Sequence, residues 1–512
     1  MAQVILRITN RTTHVVSSDD EVHELLGEAL KFAHPGSFWI NRRRSSAWAW
    51  DGFVKLYHKG YHSFPSGLLP WVMELLHEFE HTYQFDDQRP VERLVLRDKP
   101  AAWTEYLKKC GFNPHPLKSI YQWQAVRSVI KRSLTDDFDQ KISWQRGAIS
   151  MPTGAGKTLT LFWIVLLGES ALYLVNRQDL AKQAQEEFKQ LTGSCPAILG
   201  LGKHQTSEPL TIALIQTLGR LLTERRPEAI QFCASRKILL VDEGHLITNN
   251  SYQAIANACG RATVRAVASG SLLERSDLGG LYMMSTFSDP TYHVASSQYR
   301  AHGLLAQVRV FWATMKHVPC HGSYEEVYDK GIIRNAVRTV FALSVAKQAA
   351  DAGWVTLLLV KRVQHGQLAQ ELARRIFGHE VPFLCGNDSV DLRKQYLDAM
   401  RDESCKVVIS SGIFKTGVNV PLIRCLIRLD AGVSTIDSLQ IPGRGMRQKE
   451  TLNWLYLVDF DDQQNRKYLQ KASKARLRIY RREEYEIVPV VDPTDVVFQS
   501  LTKSSGKAGS KR

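Results

Sequence analysis

The stretch Ile149 to Thr158, ISMPTGAGKT, decides how the rest of the chain is read. A buried-strand pattern runs into a glycine-rich turn that ends in Gly156-Lys157-Thr158. In such a turn successive backbone N–H groups point inward at the start of a helix, where they and the helix dipole hold phosphate oxygens. On this reading Thr153, Gly154 and Gly156 belong to the phosphate cradle, Lys157 reaches the β/γ-phosphates and Thr158 ligates Mg²⁺. Met151 stands where the strict pattern has glycine, and an ordinary Gly-rich turn is the plainer alternative.

Length and composition set bounds around that stretch. A chain of 512 residues is too long for one core, and roughly 150 residues per domain allows three or four. Hydrophobic content of 44% with 23% charged residues is that of a globular protein. The balance of 66 Lys+Arg against 51 Asp+Glu leaves +15, which favours a polyanionic partner, nucleic acid first, over a merely solvated basic surface. Eight cysteines stand singly, without CxxC or Cys/His zinc spacing, and read as reduced thiols of a cytoplasmic protein. The start, MAQVILRITNRTTH, lacks a signal-peptide core, and Leu161 to Leu167 is too short an apolar run to span a membrane.

Outward from the glycine-rich turn the chain is a series of apolar strands separated by helical patterns, the signature of an α/β parallel sheet. The first series is Ala148–Met151, Ala171–Val175, Thr211–Ile215, Ile238–Val241 and Arg265–Ala268. A second follows from about 335, with Val355–Val360, Pro382–Leu384, Val407–Ser410, Cys425–Leu429 and Trp454–Asp459. Two tandem parallel-sheet domains are therefore expected, at 118–290 and 335–462, with a connection over 291–334. Residues 1–105 read as a small α+β domain, with Val4, Leu6 and Ile8 alternating and a helical pattern over Val22, Leu25, Leu26, Ala29 and Leu30. Residues 463–512 read as a basic helical extension and a Ser/Gly/Lys-rich tail.

Within the first domain, INRRRSSAWAWDGFVKLYHKGYHSF interleaves Arg42, Arg43, Arg44, Lys55 and Lys59 with Trp48, Trp50, Phe53 and Tyr57. That mixture suits backbone phosphates and stacked bases. It equally suits a hairpin whose aromatics fill its own core, with Asp51-Gly52 as the turn.

The strand Ile238–Val241 ends in Asp242-Glu243-Gly244-His245. Hydrolysis of a phosphoanhydride needs a carboxylate to hold Mg²⁺ and a group to orient water, and Asp242 and Glu243 supply them at a strand's C-terminal end. Arg444 and Arg447, in QIPGRGMR, are guanidiniums suited to clamping a γ-phosphate and stabilising developing charge.

Taken together these residues resemble the superfamily 2 DExH-box helicases. Tyr121 to Val126 looks like the glutamine motif, which implies Gln122 on adenine; LYLVNRQDLAKQ and Ile215-Gln216-Thr217-Leu218 look like motifs that touch the nucleic-acid backbone through Arg177, Gln216 and Thr217. Ala268-Ser269-Gly270-Ser271 occupies the coupling motif, with glycine departing from the commonest form. SSGIFKTGVNVP resembles motif V and implies Thr416 on nucleic acid and Gly417 on nucleotide, although Asn419 replaces the usual Asp; QIPGRGMR resembles motif VI. The SGSL variant, the Trp50-Asp51-Gly52 segment and His365-Gly366 after motif IV narrow the resemblance to phage UvsW-type recombination helicases, relatives of XPB. The resemblance implies two RecA-like domains with ATP and Mg²⁺ between them, and an N-terminal domain that helps grip DNA. It further implies ATP-driven remodelling of branched DNA, in a bacterial cytoplasm if phage-encoded. An RNA helicase, a double-strand translocase subunit of a restriction system and a non-catalytic nucleic-acid clamp are the alternatives.

Overall fold

The computed structural model describes residues 3–34, 51–90, 93–135, 142–200, 206, 208–244, 250–270, 278–315, 318–411, 423–432 and 454–498. The chain divides into two compact units, one of residues 1–151 and 156–294, the other of residues 152–155 and 295–512. Arg42, Arg43, Arg44, Trp48, Trp50, His245, Ser271, Thr416, Gly417, Asn419, Arg444 and Arg447 lie outside the described residues.

The first unit begins with a small mixed sheet. Strands β1 (Gln3–Ile8) and β2 (Thr12–Val16) form an antiparallel hairpin, because Val4, Leu6 and Ile8 all face inward while their neighbours face out. Two short strands, β3 (Lys31–Ala33) and β4 (Phe53–Lys55), pair separately, and β5 (Ser63–Pro65) and β6 (Thr82–Asp87) complete the sheet in the order β5-β2-β1-β6. The helix Asp20–Ala29, capped by the Asp19 carboxylate, buries Val22 and Leu26 against it.

Among the described residues Asp51-Gly52 does not join two paired strands, and Trp50 just before it lies outside them. β3 ends at Ala33 and β4 starts at Phe53, so the pair stands at the end of a long connection. There the Asp51 carboxylate accepts the Phe53 N–H at 3.1 Å and Gly52 takes a φ of +84°, a local turn that launches β4. The aromatic patch is divided: Tyr57 lies in the core of the small sheet, whereas Phe53 is exposed beneath the Lys31 ammonium.

The larger sheet of this unit is wholly parallel, in the order β13-β7-β12-β11-β8-β10-β9. Its strands are β7 (Arg146–Ser150), β8 (Ala171–Val175), β9 (Ala197–Leu199), β10 (Leu210–Leu214), β11 (Ile238–Asp242), β12 (Val264–Ser269) and β13 (Pro290–His293). Strands β7, β8, β10 and β12 are buried at every position, as strands of a parallel sheet covered on both faces must be.

The small N-terminal sheet and this large sheet are packed together. The Arg146 guanidinium donates to the Asn10 carbonyl and side chain, both at 2.9 Å, and Trp144 sits in the N-terminal core. Gly67 lies so close that a Cβ would stand 2.2 Å from the Met284 carbonyl oxygen. The expected boundary at 105 cuts the helix Pro100–Lys109, which turns Trp103 onto Trp163 of the phosphate-loop helix, rings 4.4 Å apart, and so belongs with the large sheet.

The second unit holds another all-parallel sheet, in the order β16-β17-β15-β18-β19-β14-β20. Its strands are β14 (Gln307–Ala313), β15 (Thr356–Val360), β16 (Phe383–Leu384), β17 (Val407–Ser411), β18 (Cys425–Arg428), β19 (Trp454–Phe460) and β20 (Glu486–Val490). Two expectations are corrected here. Residues 291–334 are not only a connection, since β14 lies between β19 and β20; residues after 463 are not an appendage, since they supply β20 and a helix, Lys471–Arg482. Pro489 lies within β20, and the strand is at the sheet's edge, where a missing N–H is tolerated.

Helix Lys471–Arg482 is held by buried charge. Arg476 contacts Asp459 at 2.8 Å and Asp462 at 3.2 Å, Arg338 contacts Asp462 at 2.9 Å, and Arg428 contacts Asp430 at 3.0 Å. The Tyr480 hydroxyl joins the groups, donating to Asp459 at 2.8 Å and accepting from Arg428 at 3.1 Å. Three guanidiniums thus face three carboxylates, all almost wholly buried, a balance without which the burial of such charges would be prohibitive.

Candidate functional site

Lys157, Thr158, Asp242 and Glu243 converge at the C-terminal ends of β7 and β11. The turn before Lys157 carries two glycines with left-handed backbone, Gly154 at φ +86° and Gly156 at φ +90°. Thr153 precedes them in the same turn. Gly156 has a second reason to be glycine, because a Cβ there would come within 2.4 Å of the Gln122 amide nitrogen. The helix Lys157–Leu166 then starts with Lys157 only 7% exposed, and its charge acts on the Asp242 carboxyl. Met151, at the position where glycine was expected, is buried, and its sulfur lies 3.9 Å from the Thr160 hydroxyl; it is a packing residue of the helix that follows.

The acids are held by short contacts. The Thr158 hydroxyl donates to Asp242 Oδ2 at 3.0 Å, the Tyr173 hydroxyl donates to the same oxygen at 2.7 Å, and the Glu243 N–H reaches Asp242 Oδ1 at 2.9 Å. Burial, and then the adjacent Glu243 charge, hold the Asp242 carboxyl above the ordinary carboxylate range, against the pull of Lys157. Burial also pushes the Tyr173 phenol well up, so it stays a donor. Glu243 itself has a left-handed backbone, φ +54°, which turns its side chain away from the direction the strand would give it. A hydroxyl and a carboxylate this close are the hard oxygen donors Mg²⁺ takes, so the residues fit the ion the motif implies.

Gln122, expected on adenine, is 3% exposed and is held at both ends of its amide. Its oxygen accepts the Trp103 indole N–H at 2.9 Å and its nitrogen donates to the Gly156 carbonyl at 3.4 Å. Trp103 and Tyr173 were not among the residues singled out from the sequence. For Tyr173 a signal existed, since a hydroxylated ring interrupts an otherwise aliphatic buried run, Ala171-Leu172-Tyr173-Leu174-Val175. Trp103 offered none beyond its apolar spacing.

The expected nucleic-acid residues of this unit that are described are also neighbours. Arg177 follows β8 and Gln216 and Thr217 follow β10, the strand paired with it, and the Gln216 amide donates to the Asn176 carbonyl at 3.1 Å. Gln216 is exposed, and the Arg177 guanidinium lies 3.3 Å from Asp179. Met151 N–H donates to the Ser269 carbonyl at 3.2 Å, which ties the start of the Ser269-Gly270 segment to the phosphate loop.

Comparison with known proteins follows the same division of the chain. Residues 118–265 match the family model described as type III restriction enzyme, res subunit, and residues 341–449 match that of the helicase conserved C-terminal domain. A Saccharomyces cerevisiae protein, IRC3, whose name as an ATP-dependent helicase is provisional, is 20% identical over 354 residues, which is 62% of this chain and 48% of IRC3. The chain therefore spans about half the length of that relative. Among solved structures, the DNA-bound helicase MrfA superposes with a TM-score of 0.54 at 14% identity, over 79% of this chain and 53% of its own, a likeness of fold. T4 UvsW aligns over 96% of this chain and 99% of its own at 18% identity, with a TM-score of 0.44.

Proposed function

From the premise that the chain belongs to the superfamily 2 helicases, ATP-hydrolysing enzymes, we propose that it is a DNA translocase that remodels branched DNA. The reactions meant are branch migration, fork regression, unwinding of R-loops or D-loops, and annealing, in phage-type recombination, replication and repair. The observation that carries the reading is the pairing of Thr158 with Asp242 at 3.0 Å beside the buried Lys157, at the strand ends of a parallel sheet.

In this mechanism Lys157 and the N–H groups around Gly154 and Gly156 hold the phosphates of ATP. Thr158 and Asp242 would hold Mg²⁺, which would neutralise phosphate charge. Glu243 orients water, and Gln122 reads the adenine from its position against the loop. Arg444 and Arg447 reach the γ-phosphate, with Gly417 beside the nucleotide. Closing and opening around ATP shifts the grip of Arg177, Gln216, Thr217 and Thr416 along a backbone, as exchange between two conformations allows. Arg42, Arg43 and Arg44 add a grip on DNA from the N-terminal domain. Phosphate contacts carry no sequence preference, so selection is by structure and binding weakens steeply with salt.

MrfA, whose fold is similar, was solved bound to DNA, and Saccharomyces cerevisiae Dbp5, at a TM-score of 0.53, bound to RNA, so DNA is proposed on the resemblance of the motifs and is tested against RNA. The site of action proposed is the cytoplasm; among the described residues no helix is long and apolar enough to cross a membrane. The test is strand displacement on forked DNA, Holliday junctions, R-loops and duplex RNA, with ATP and with a non-hydrolysable analogue. ATP-dependent activity on the branched DNAs is expected, and activity confined to duplex RNA would defeat the reading.

A further inference from the structure

The helix Lys471–Arg482, KASKARLRIYRR, contains no acidic residue. Its buried side is Ala472, Ser473, Arg476, Ile479 and Tyr480, fixed to the sheet through the contacts of Arg476 and Tyr480 with Asp459. The opposite side exposes Lys471, Lys474, Arg478 and Arg481. At 3.6 residues per turn these four lie within an arc of about 80°, over about 15 Å of helix. Arg466 and Lys467 extend the exposed charge one turn earlier, and Arg482 stands beside Arg481.

Solvated helix faces ordinarily mix both signs of charge. Here none of Lys471, Lys474, Arg478 and Arg481 has an ion-pair partner among the described residues; the nearby Glu483 is engaged by Ser296 and lies 4.0 Å from Arg482. The arrangement opposes folding, since like charges repel at spacings of three and four, and Lys471 and Lys474 sit at the positive end of the helix dipole. A polyanion laid along the face would relieve both effects. The geometry also matches one: a strand of duplex DNA carries about one phosphate per 3.4 Å of axis, so about 15 Å of helix spans about four phosphates for four cations.

We propose that the exposed face of helix Lys471–Arg482 is a rigid binding track for the phosphate backbone of DNA, carried by Lys471, Lys474, Arg478 and Arg481. It rests on the reading of the protein as a DNA translocase, and assigns the second unit a contact surface outside the helicase motifs. Because Arg476 anchors the helix to the end of β19, the track moves as one body with its sheet.

The experiment is fluorescence anisotropy of a labelled forked DNA, titrated with the full chain without nucleotide at several salt concentrations. It compares wild type, a variant with Lys471→Gln, Lys474→Gln, Arg478→Gln and Arg481→Gln combined, and a control with Lys108→Gln and Lys109→Gln, two exposed lysines of the helix Pro100–Lys109. The slope of log Kd against log salt should fall in the fourfold variant by about 3.6, or 0.9 per lost contact, with affinity at least about tenfold weaker at 0.1 M salt. The control slope should stay. An unchanged slope in the fourfold variant, or an equal loss per residue in the control, overturns the track. So does loss of binding to anionic phospholipid vesicles with DNA binding intact. Failure of the wild type to bind DNA would instead defeat the translocase reading. If the fourfold variant does not melt like wild type, Lys474→Gln and Arg478→Gln are measured singly, each expected to lower the slope by about 0.9.

Discussion

Each of the two large sheets has seven parallel strands among the described residues, yet they treat charge at their strand ends in opposite ways. At the end of β11, Asp242 is held by a hydroxyl from Thr158, a hydroxyl from Tyr173 and a backbone N–H, in a setting that raises its proton affinity. Beyond β18 and along β19, Asp430 and Asp459, with Asp462 just after, are met by the guanidiniums of Arg428, Arg476 and Arg338. The first arrangement holds a carboxylate with neutral donors near a lysine, and so is open to a cation. The second is closed by its own arginines. The same place in the same architecture is proposed to serve chemistry in one sheet and fixes a helix in the other.

Breaking the closed arrangement should have the largest effect. Arg476→Met leaves Asp459 and Asp462 short of a partner in the interior, and is expected to cost about 3–5 kcal/mol in urea unfolding of the second unit. A loss below about 1 kcal/mol would show that water or rearrangement compensates, and that the cluster is not what holds the helix.

Gly366→Ala tests packing without charge in the same sheet. Its Cβ would stand 2.1 Å from the Phe383 ring, so a destabilisation of about 1–3 kcal/mol is expected by the same measurement. The His365-Gly366 pair then marks a close approach of helix Val363–Phe377 to β16, and an unchanged stability would remove that explanation.

The open arrangement should respond in function more than in stability. Tyr173→Phe removes a hydrogen bond of 2.7 Å to Asp242, and the Mg²⁺ concentration giving half-maximal ATP hydrolysis should rise about three- to tenfold, with the melting temperature nearly kept. A change in melting temperature with no change in Mg²⁺ requirement would make Tyr173 a core residue only. Smallest of all, Trp103→Phe keeps the stack on Trp163 and loses the bond to Gln122; KM for ATP should rise about fivefold, and an unaltered KM would dissociate Gln122 from the nucleotide.

Legibility followed the same contrast. Strands buried on both faces announce themselves as apolar runs, so Ala171–Val175 was read with its observed limits and most others to within a residue or two. Lys157, Thr158 and Asp242 were legible because phosphate chemistry demands those residue types at fixed places in an α/β unit, and the fold brings them together. Arg476 was not, because among Arg466, Lys467, Lys471, Lys474 and Arg478 it looks like another surface cation until the spacing to Ala472, Ile479 and Tyr480 places it on the inner side. β14 and β20 were missed where strands return to the sheet from outside the expected limits of the domain, one of them carrying a proline. Trp103 and Tyr173 act through the groups they touch, and a partner 19 or 69 residues away leaves no local pattern.

The most direct measurement of the central claim is steady-state phosphate release by the full chain, with and without forked DNA, in wild type and in Lys157→Ala. Release stimulated by DNA, and lowered at least about a hundredfold by the substitution, is the predicted result. Release that ignores DNA and survives Lys157→Ala unchanged would contradict it.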